Sequence, residues 1–343
     1  MIGEEKNKRK QQIMLTAVDF YIKNAQPITS GLLNKHFSEI SSATIRNELN
    51  ALESMGYFKQ LHTSGGRVPT PLAYKEYVTC LLEKDNLNYN SIKKVIENYE
   101  DRSVSLISTL STLAKRLSKV TNCPTVLVQH GLQHLEIVNI QIIPLIQKDA
   151  LLLLETKAGI IDDNITLDPN IDRTACLEAS DYLTKHFAGK TIEYLLDNIN
   201  NVCLKAGSQI LEFKSLIEGV ADALISVIKT KCDVSNESPT KMIEGLSKSE
   251  MDETKSVFEF LENADDVIDI IKENSSDLTF TIGDEKQSKL KGGMMMSAPI
   301  VVNGVPIASL ALVGPKRIDY ANVAAALKFI VNQIDNLKGE NSE

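Results

Sequence analysis

No stretch of the 343-residue chain is apolar for the roughly 18 residues that a bilayer-spanning helix needs. Ala150–Leu154 is short, and Ile137–Ile143 is interrupted by Asn139 and Gln141. The charged segment Met1–Lys10 is followed by no signal-type apolar run. These absences argue against a membrane or secreted protein and for a cytoplasmic one, with no membrane partner. The five cysteines (Cys80, Cys123, Cys176, Cys203 and Cys232) lie at least 27 residues apart, so no CxxC occurs. Zinc ribbons and thioredoxin-type redox chemistry thereby lose their usual signature, and reduced, mostly buried thiols are expected. Also missing are a Walker A loop, GxGxxG, GxSxG and HExxH. Gly292-Gly293 lacks the Lys and the spacing of a phosphate loop. Asp162-Asp163 and Asp265-Asp266 are adjacent pairs, which diverge on a helix or a strand and suit solvated charge better than acid–base work. His130 and His134 are four apart, but Gly131 and the surrounding strand patterns argue against one helical face. The expectation is no enzyme, no cofactor and no metal.

What is present is ordinary for a folded protein of two or three domains: 43% hydrophobic and 24% charged residues. Charge is uneven. Residues 1–75 hold ten Lys and Arg against six Asp and Glu, whereas the rest holds 27 against 39. A basic head on an acidic body suggests that the head, not the body, meets a polyanion.

The head reads as a winged helix-turn-helix. Ile13, Ala17 and Phe20 recur at helical spacing within Arg9–Lys23, and Pro27 closes that helix. Thr29 or Ser30 can cap a short second helix, Gly31–Phe37. After the turn Ser38–Ser41, Ser42 is expected to cap a third helix running to about Met55 and stopped by Gly56. Ile45, Leu49 and Leu52 share one face of it and must pack inward. The opposite face carries Ala43, Asn47, Asn50 and Ser54, flanked by Thr44 and Arg46. These groups suit base edges: Asn matches adenine, Arg matches guanine or a phosphate, and an Ala methyl can touch thymine. An ordinary amphipathic surface helix would show the same stripe. Tyr57–Leu61 then reads as a strand, and Gly65-Gly66 permits a turn into a second one. The hairpin tip, His62-Thr63-Ser64-Gly65-Gly66-Arg67, followed by Thr70, offers hydroxyls, backbone N–H groups and a cation, which fit phosphate or minor-groove contact.

The segment Ser42-Ala43-Thr44-Ile45-Arg46-Asn47-Glu48-Leu49, with Met55-Gly56-Tyr57 and His62-Thr63-Ser64-Gly65-Gly66-Arg67-Val68-Pro69-Thr70, resembles the DNA-binding domain of the HrcA family of heat-inducible transcription repressors. Val313-Gly314-Pro315-Lys316-Arg317-Ile318-Asp319-Tyr320 and Ile282-Gly283-Asp284-Glu285 are similar to two further signatures of that family. Gly65 departs from it, since Ala is usual there. The resemblance implies an α+β protein: a winged helix-turn-helix at 1–85, a GAF-like α/β domain at 86–145 and 236–343, and an inserted α+β dimerisation domain at 146–235. It implies a homodimer that binds double-stranded DNA at the inverted repeat called CIRCE, upstream of the groE and dnaK operons. It also implies that the GroE chaperonin modulates repression. The alternative is a ligand-gated regulator sensing a small molecule through its GAF-like domain.

In the body, the polar run Glu83–Asn90 reads as a hinge, and a helix is expected over roughly Ser91–Val120. Strand patterns follow at Thr125–His130, Leu135–Pro144, Ala150–Glu155 and Ile160–Leu167, with helices from about Asp172 to Lys231. Within the last of these, Val202–Lys231 carries apolar residues on more than one stripe, which suits a central core helix or one shared with a dimer interface. Strand character returns at Lys241–Gly245, Leu278–Gly283, Met294–Val302 and Pro306–Val313, with Asn303-Gly304 as a hairpin signal. Tyr320–Leu337 reads as a closing helix. Met294, Met295 and Met296 should alternate sides, leaving one exposed.

Overall fold

The computed structural model describes residues 2–61, 65–84, 87–89, 92, 105–145, 149–168, 171–206, 211–229, 231–235, 248–273, 277–284 and 289–336. The protein is a mixed α+β chain whose sheets are antiparallel.

Helix α1 spans Ile2–Asn24 and ends where Ala25 takes a left-handed backbone just ahead of Pro27. Helix α2 is Ser30–Asn34, with the Thr29 hydroxyl accepting from the Leu32 N–H. Helix α3 is Ser42–Ser54. Its cap is Ser41, one residue earlier than expected, because the Ser41 hydroxyl accepts from the Thr44 N–H at 3.1 Å. Gly56, with φ of +85°, turns the chain out of the helix, a conformation L side chains rarely adopt. Strands β1 (Phe58–Gln60) and β2 (Arg67–Pro69) form a hairpin, with Lys59 opposite Val68. Ile28 adds a short bridge to its far side: Ile28 N–H donates to the Arg67 carbonyl at 2.7 Å, and Arg67 N–H donates back at 2.9 Å. Ile13, Ala17, Ile28, Leu33, Ile45, Leu49, Leu52 and Phe58 fill the core between these elements.

Helix α4 (Pro71–Lys84) leads to the body. The expected hinge does not hold as a free linker. Glu83 and Lys84 finish α4, Leu87 is 8% exposed, and the Tyr89 ring lies 6.5 Å from Phe329. Leu87 and Tyr89 are thus two apolar anchors in a run whose polar composition hides them. Most of the first half of the helix expected over Ser91–Val120, residues 91 and 93–104, lies outside the described residues. Ser105 is extended and bridges Ile160, so the expected helix is not continuous there, and α5 is Leu106–Thr121.

Five strands form the larger sheet, in the order β7 (Lys231–Ser235), β3 (Thr125–Gln129), β10 (Val305–Pro315), β9 (Gly293–Val302) and β8 (Thr279–Ile282). Asn303 and Gly304 join β9 to β10, both with positive φ as the tight hairpin turn requires. One face packs on α5 and on α11 (Tyr320–Asn336), the other on α9 (Lys248–Glu262) and α10 (Ala264–Glu273). All three methionines are therefore buried, against the expectation of one exposed: Met294 and Met296 join the first core and Met295 the second. Helices α9 and α10 were not anticipated, and Lys231, expected to end a helix, opens strand β7 instead. The expected strand at 241–245 lies outside the described residues.

The smaller sheet is β4 (Ile137–Pro144), β5 (Asp149–Thr156) and β6 (Gly159–Thr166), covered by α6 (Arg173–Phe187) and α8 (Leu211–Ile228). Its strands alternate buried and open residues, as a one-sided sheet must. The outer edge of β4 is occupied by α6, where Ile140 N–H donates to the Thr184 hydroxyl at 3.0 Å and Ile142 N–H to the Ser180 hydroxyl at 2.9 Å. The single helix expected over 202–231 is instead the end of α7 (Ile192–Ala206), then α8, then strand β7. Within α8, Ile217, Val220, Leu224 and Val227 are buried, while Ile225 is exposed. Strand membership also departs from the expected limits at 146 and 235, since β4 pairs with β5 and β7 pairs with β3.

A seam joins the N-terminal helices to the body. Tyr320, 1% exposed, sits 6.0 Å from the Tyr74 ring and 6.2 Å from the Tyr77 ring of α4. Its hydroxyl donates to the Lys316 carbonyl at 2.6 Å. Lys316 pairs with Glu253 at 3.0 Å, and Arg317 pairs with Glu250 of α9 and donates to the Ile22 carbonyl of α1 at 3.4 Å. The signature Val313–Tyr320 thus supplies a bracket between α9, α1 and α4. Burial pushes the phenols of Tyr74 and Tyr320 well above their ordinary range, so both stay protonated donors.

Candidate nucleic-acid interface

Helix α3 has two faces of opposite chemistry. Ile45, Leu49 and Leu52 are buried. Ser42, Ala43, Arg46, Asn47 and Asn50 are exposed on the other side, and Thr44 is half-buried in the cap, its hydroxyl 2.9 Å from that of Ser41. The Ser42 hydroxyl donates to that of Ser30 at 3.3 Å, tying the start of α3 to α2. Arg46 and Asn47 have no side-chain hydrogen-bond partner among the described residues. They form the open polar surface of the helix.

Two carboxylates stand on α3, and each is matched by an arginine. Glu48 is nearly buried and accepts from Arg9 of α1 at 2.8 Å. Glu53 accepts from Arg67 Nε at 2.7 Å. The outer surface therefore presents no uncompensated negative charge to a polyanion. Neither pairing was foreseen. Arg9 opens the expected helix Arg9–Lys23, and nothing in its spacing names Glu48, 39 residues on, as its partner.

Arg67 does more than expected of a wing cation. Its side chain is 13% exposed. Besides Glu53, it donates to the side-chain oxygen of Asn50. The hairpin is thus clamped to α3 by one guanidinium. Thr70 also works inside the chain, its hydroxyl donating to the Gly56 carbonyl at 2.6 Å. Gly66 is needed for close approach rather than for the turn: a Cβ there would stand 2.7 Å from Pro27 Cβ and 2.9 Å from its carbonyl carbon. Gly65 lies beside it, its carbonyl accepting from the Gln60 amide at 3.3 Å. His62, Thr63 and Ser64 lie outside the described residues. The structure so brings Arg46, Asn47 and Asn50 onto one open face, with the hairpin held beside it by Arg67 and Thr70. The signal that could have found the clamp is the i, i+3 spacing of Asn50 and Glu53, once the hairpin register places Arg67 opposite Gln60.

No metal-holding cluster of His, Cys, Asp and Glu occurs among the described residues. His130 meets the Ser309 hydroxyl at 2.9 Å, and burial together with nearby Lys272 lowers its pKa. No described helix is long and apolar enough to cross a membrane.

Comparison with known proteins gives a consistent picture. The family model of the HrcA protein C-terminal domain matches residues 108–324. A heat-inducible transcription repressor HrcA of Clostridioides difficile (strain 630) is 31% identical over 335 residues, covering 95% of this chain and 98% of that protein. One from Ruminiclostridium cellulolyticum is 27% identical over 336 residues, covering 95% and 96%. A crystal structure described as that of a hypothetical protein matches 97% of this chain and 99% of its own with a TM-score of 0.68, at 20% identity, so the fold is shared.

Proposed function

The chain belongs to the HrcA family of heat-inducible transcription repressors, and from that premise we propose that it binds operator DNA as a homodimer through α3 and the β1–β2 hairpin. This is the reading of a transcription repressor rather than of an enzyme. The observation that carries it is the outer face of α3, where Arg46 and Asn47 stand open while Arg9 and Arg67 neutralise both of the helix's carboxylates.

In this reading residues 1–85 are a winged helix-turn-helix. Ser42, Ala43, Thr44, Arg46, Asn47 and Asn50 meet the major groove. The hairpin from His62 to Thr70 lies against the backbone, Arg67 and Thr70 setting its position more than contacting phosphate. The five-stranded sheet with its helices is the GAF-like domain. The inserted dimerisation domain then runs from the end of β3 to the start of β7, wider than the expected 146–235. Two heads related by a dyad require an inverted repeat, the CIRCE element upstream of groE and dnaK operons, with the GroE chaperonin modulating occupancy in the cytoplasm.

Protection mapping on a chaperone-operon fragment tests this. Two protected half-sites related by a dyad are expected, with a preference over scrambled DNA at moderate salt, with or without chaperonin. Protection with no dyad, or no preference, sinks the proposal.

A second reading, small-molecule sensing, is favoured by one feature. A cleft of about 810 Å³ opens between the larger sheet and the insert, lined by His130, Ser309, Lys229, Lys272 and Ile225 among others. Saturable thermal stabilisation by a metabolite, lost on filling the cleft, would support it.

A further inference from the structure

Arg67, Asn50 and Glu53 form a three-membered arrangement whose chemistry constrains what α3 can read. The Arg67 guanidinium carries only donors, so the Asn50 amide atom facing it has to be the oxygen. Glu53, one turn further along α3, holds Arg67 Nε at 2.7 Å and so fixes where the guanidinium stands. The clamp sets the amide the same way round in every molecule. Its free end is the NH2 group, which has no hydrogen-bond partner among the described residues, on an exposed residue. Asn47, one turn earlier, has neither end of its amide engaged among the described residues, and can turn to offer donor and acceptor in either order.

The bases differ in what they ask of an amide. The major-groove edge of adenine shows one acceptor and one donor, so it needs both ends. Guanine shows two acceptors, N7 and O6. The amide oxygen has two lone pairs and Arg67 takes one, so the free NH2 is the end Asn50 presents most openly, which matches the two acceptors of guanine better than the acceptor and donor of adenine. We propose that Asn50 is a donor-only reader of a guanine edge in the operator, and that Arg67 and Glu53 are the positioning residues that impose this polarity. This rests on the reading of α3 as an operator-binding helix and adds which base one of its residues selects. It also gives the wing arginine a task other than phosphate contact.

The test is an operator half-site permuted one base pair at a time, with affinity read by fluorescence anisotropy for the full-length protein. Wild type should lose about tenfold or more when one particular G·C pair becomes A·T. Asn50→Ala should be indifferent between G·C and A·T at that pair. Asn50→Asp keeps an oxygen for Arg67 but removes both donors. It should hold the hairpin, as judged by an unchanged melting temperature, and still lose the guanine preference. Glu53→Gln and Arg67→Gln free the amide and should narrow the G-over-A ratio at that pair alone. If Asn50→Asp selects guanine as wild type does, the side chain merely anchors the wing and the inference falls. A pair dependent on Asn50 where adenine wins, or where thymine O4 is the acceptor used, overturns the guanine assignment. Wild type with no preference for any operator would mean that the repressor reading itself has failed, and this inference with it.

Discussion

The outer face of α3 and the seam around Tyr320 use the same residue types to opposite ends. At the seam, Lys316 and Arg317 each have a glutamate partner, both arginine and lysine side chains are mostly buried, and a tyrosine cluster fills the space around them. On α3, Arg46 and Asn47 face solvent with no partner among the described residues. Buried charge has to be paired, since an unpaired one costs several kcal/mol, so the seam fixes the orientation of the head. Exposed polar groups lose little by waiting, because water satisfies them, and they are therefore what a partner can use. Arg67 stands between the two kinds: it is as buried as the seam arginine and fully employed in holding its neighbours, yet it lies beside the open face of α3.

The comparison breaks most readily at the seam. Arg317→Met leaves Glu250 buried without its guanidinium and should cost about 3–5 kcal/mol of stability. Chemical denaturation would read this as a large fall in midpoint, and a midpoint equal to wild type would show that the bracket does not hold the head. Asn47→Ala should do the reverse: stability within about 0.5 kcal/mol of wild type, and operator discrimination weaker by about 1–3 kcal/mol. Competition binding against scrambled DNA separates the two effects.

Acid should sharpen the contrast further. His130 in the body has a folded pKa below its unfolded value, because burial and Lys272 disfavour the imidazolium. Its contribution to stability is thus complete above about pH 6.5 and declines as pH falls through the lowered folded value. His130→Asn should flatten the stability profile between pH 7 and 5, and an unchanged slope would show that His130 does not set it. The smallest expected effect is at Cys123, where burial pushes the thiol up to about 12. Iodoacetamide at pH 8 should leave it unmodified in the native protein and label it once unfolded, as mass spectrometry of peptides would show.

Much of the head was legible because its signals are local. The stripe Ile45, Leu49, Leu52 and the pair Asn303-Gly304 each specify geometry within a few residues. What stayed hidden depends on distant partners. Lys231–Ser235 is polar and follows a helix, and only β3 beside it makes it a strand. Ser41 and Ser42 differ as caps by a backbone angle that composition does not carry. Of the site, the open residues of α3 could be named from periodicity. Their internal constraints could not, since Arg67 reaches Asn50 only through the hairpin register. Leu87 and Tyr89 were lost for a related reason: two apolar side chains in a polar run weigh little in any average, yet each has a place in the core.

The sealed margin of the smaller sheet has its own implication. With the Ser180 and Thr184 hydroxyls spent on the Ile142 and Ile140 amides, a strand from another molecule finds no free ladder along that flank of β4. Self-association cannot proceed by adding strands along β4, so runaway fibre growth from that side is closed off, and any strand pairing by this sheet is left to its other edge, β6.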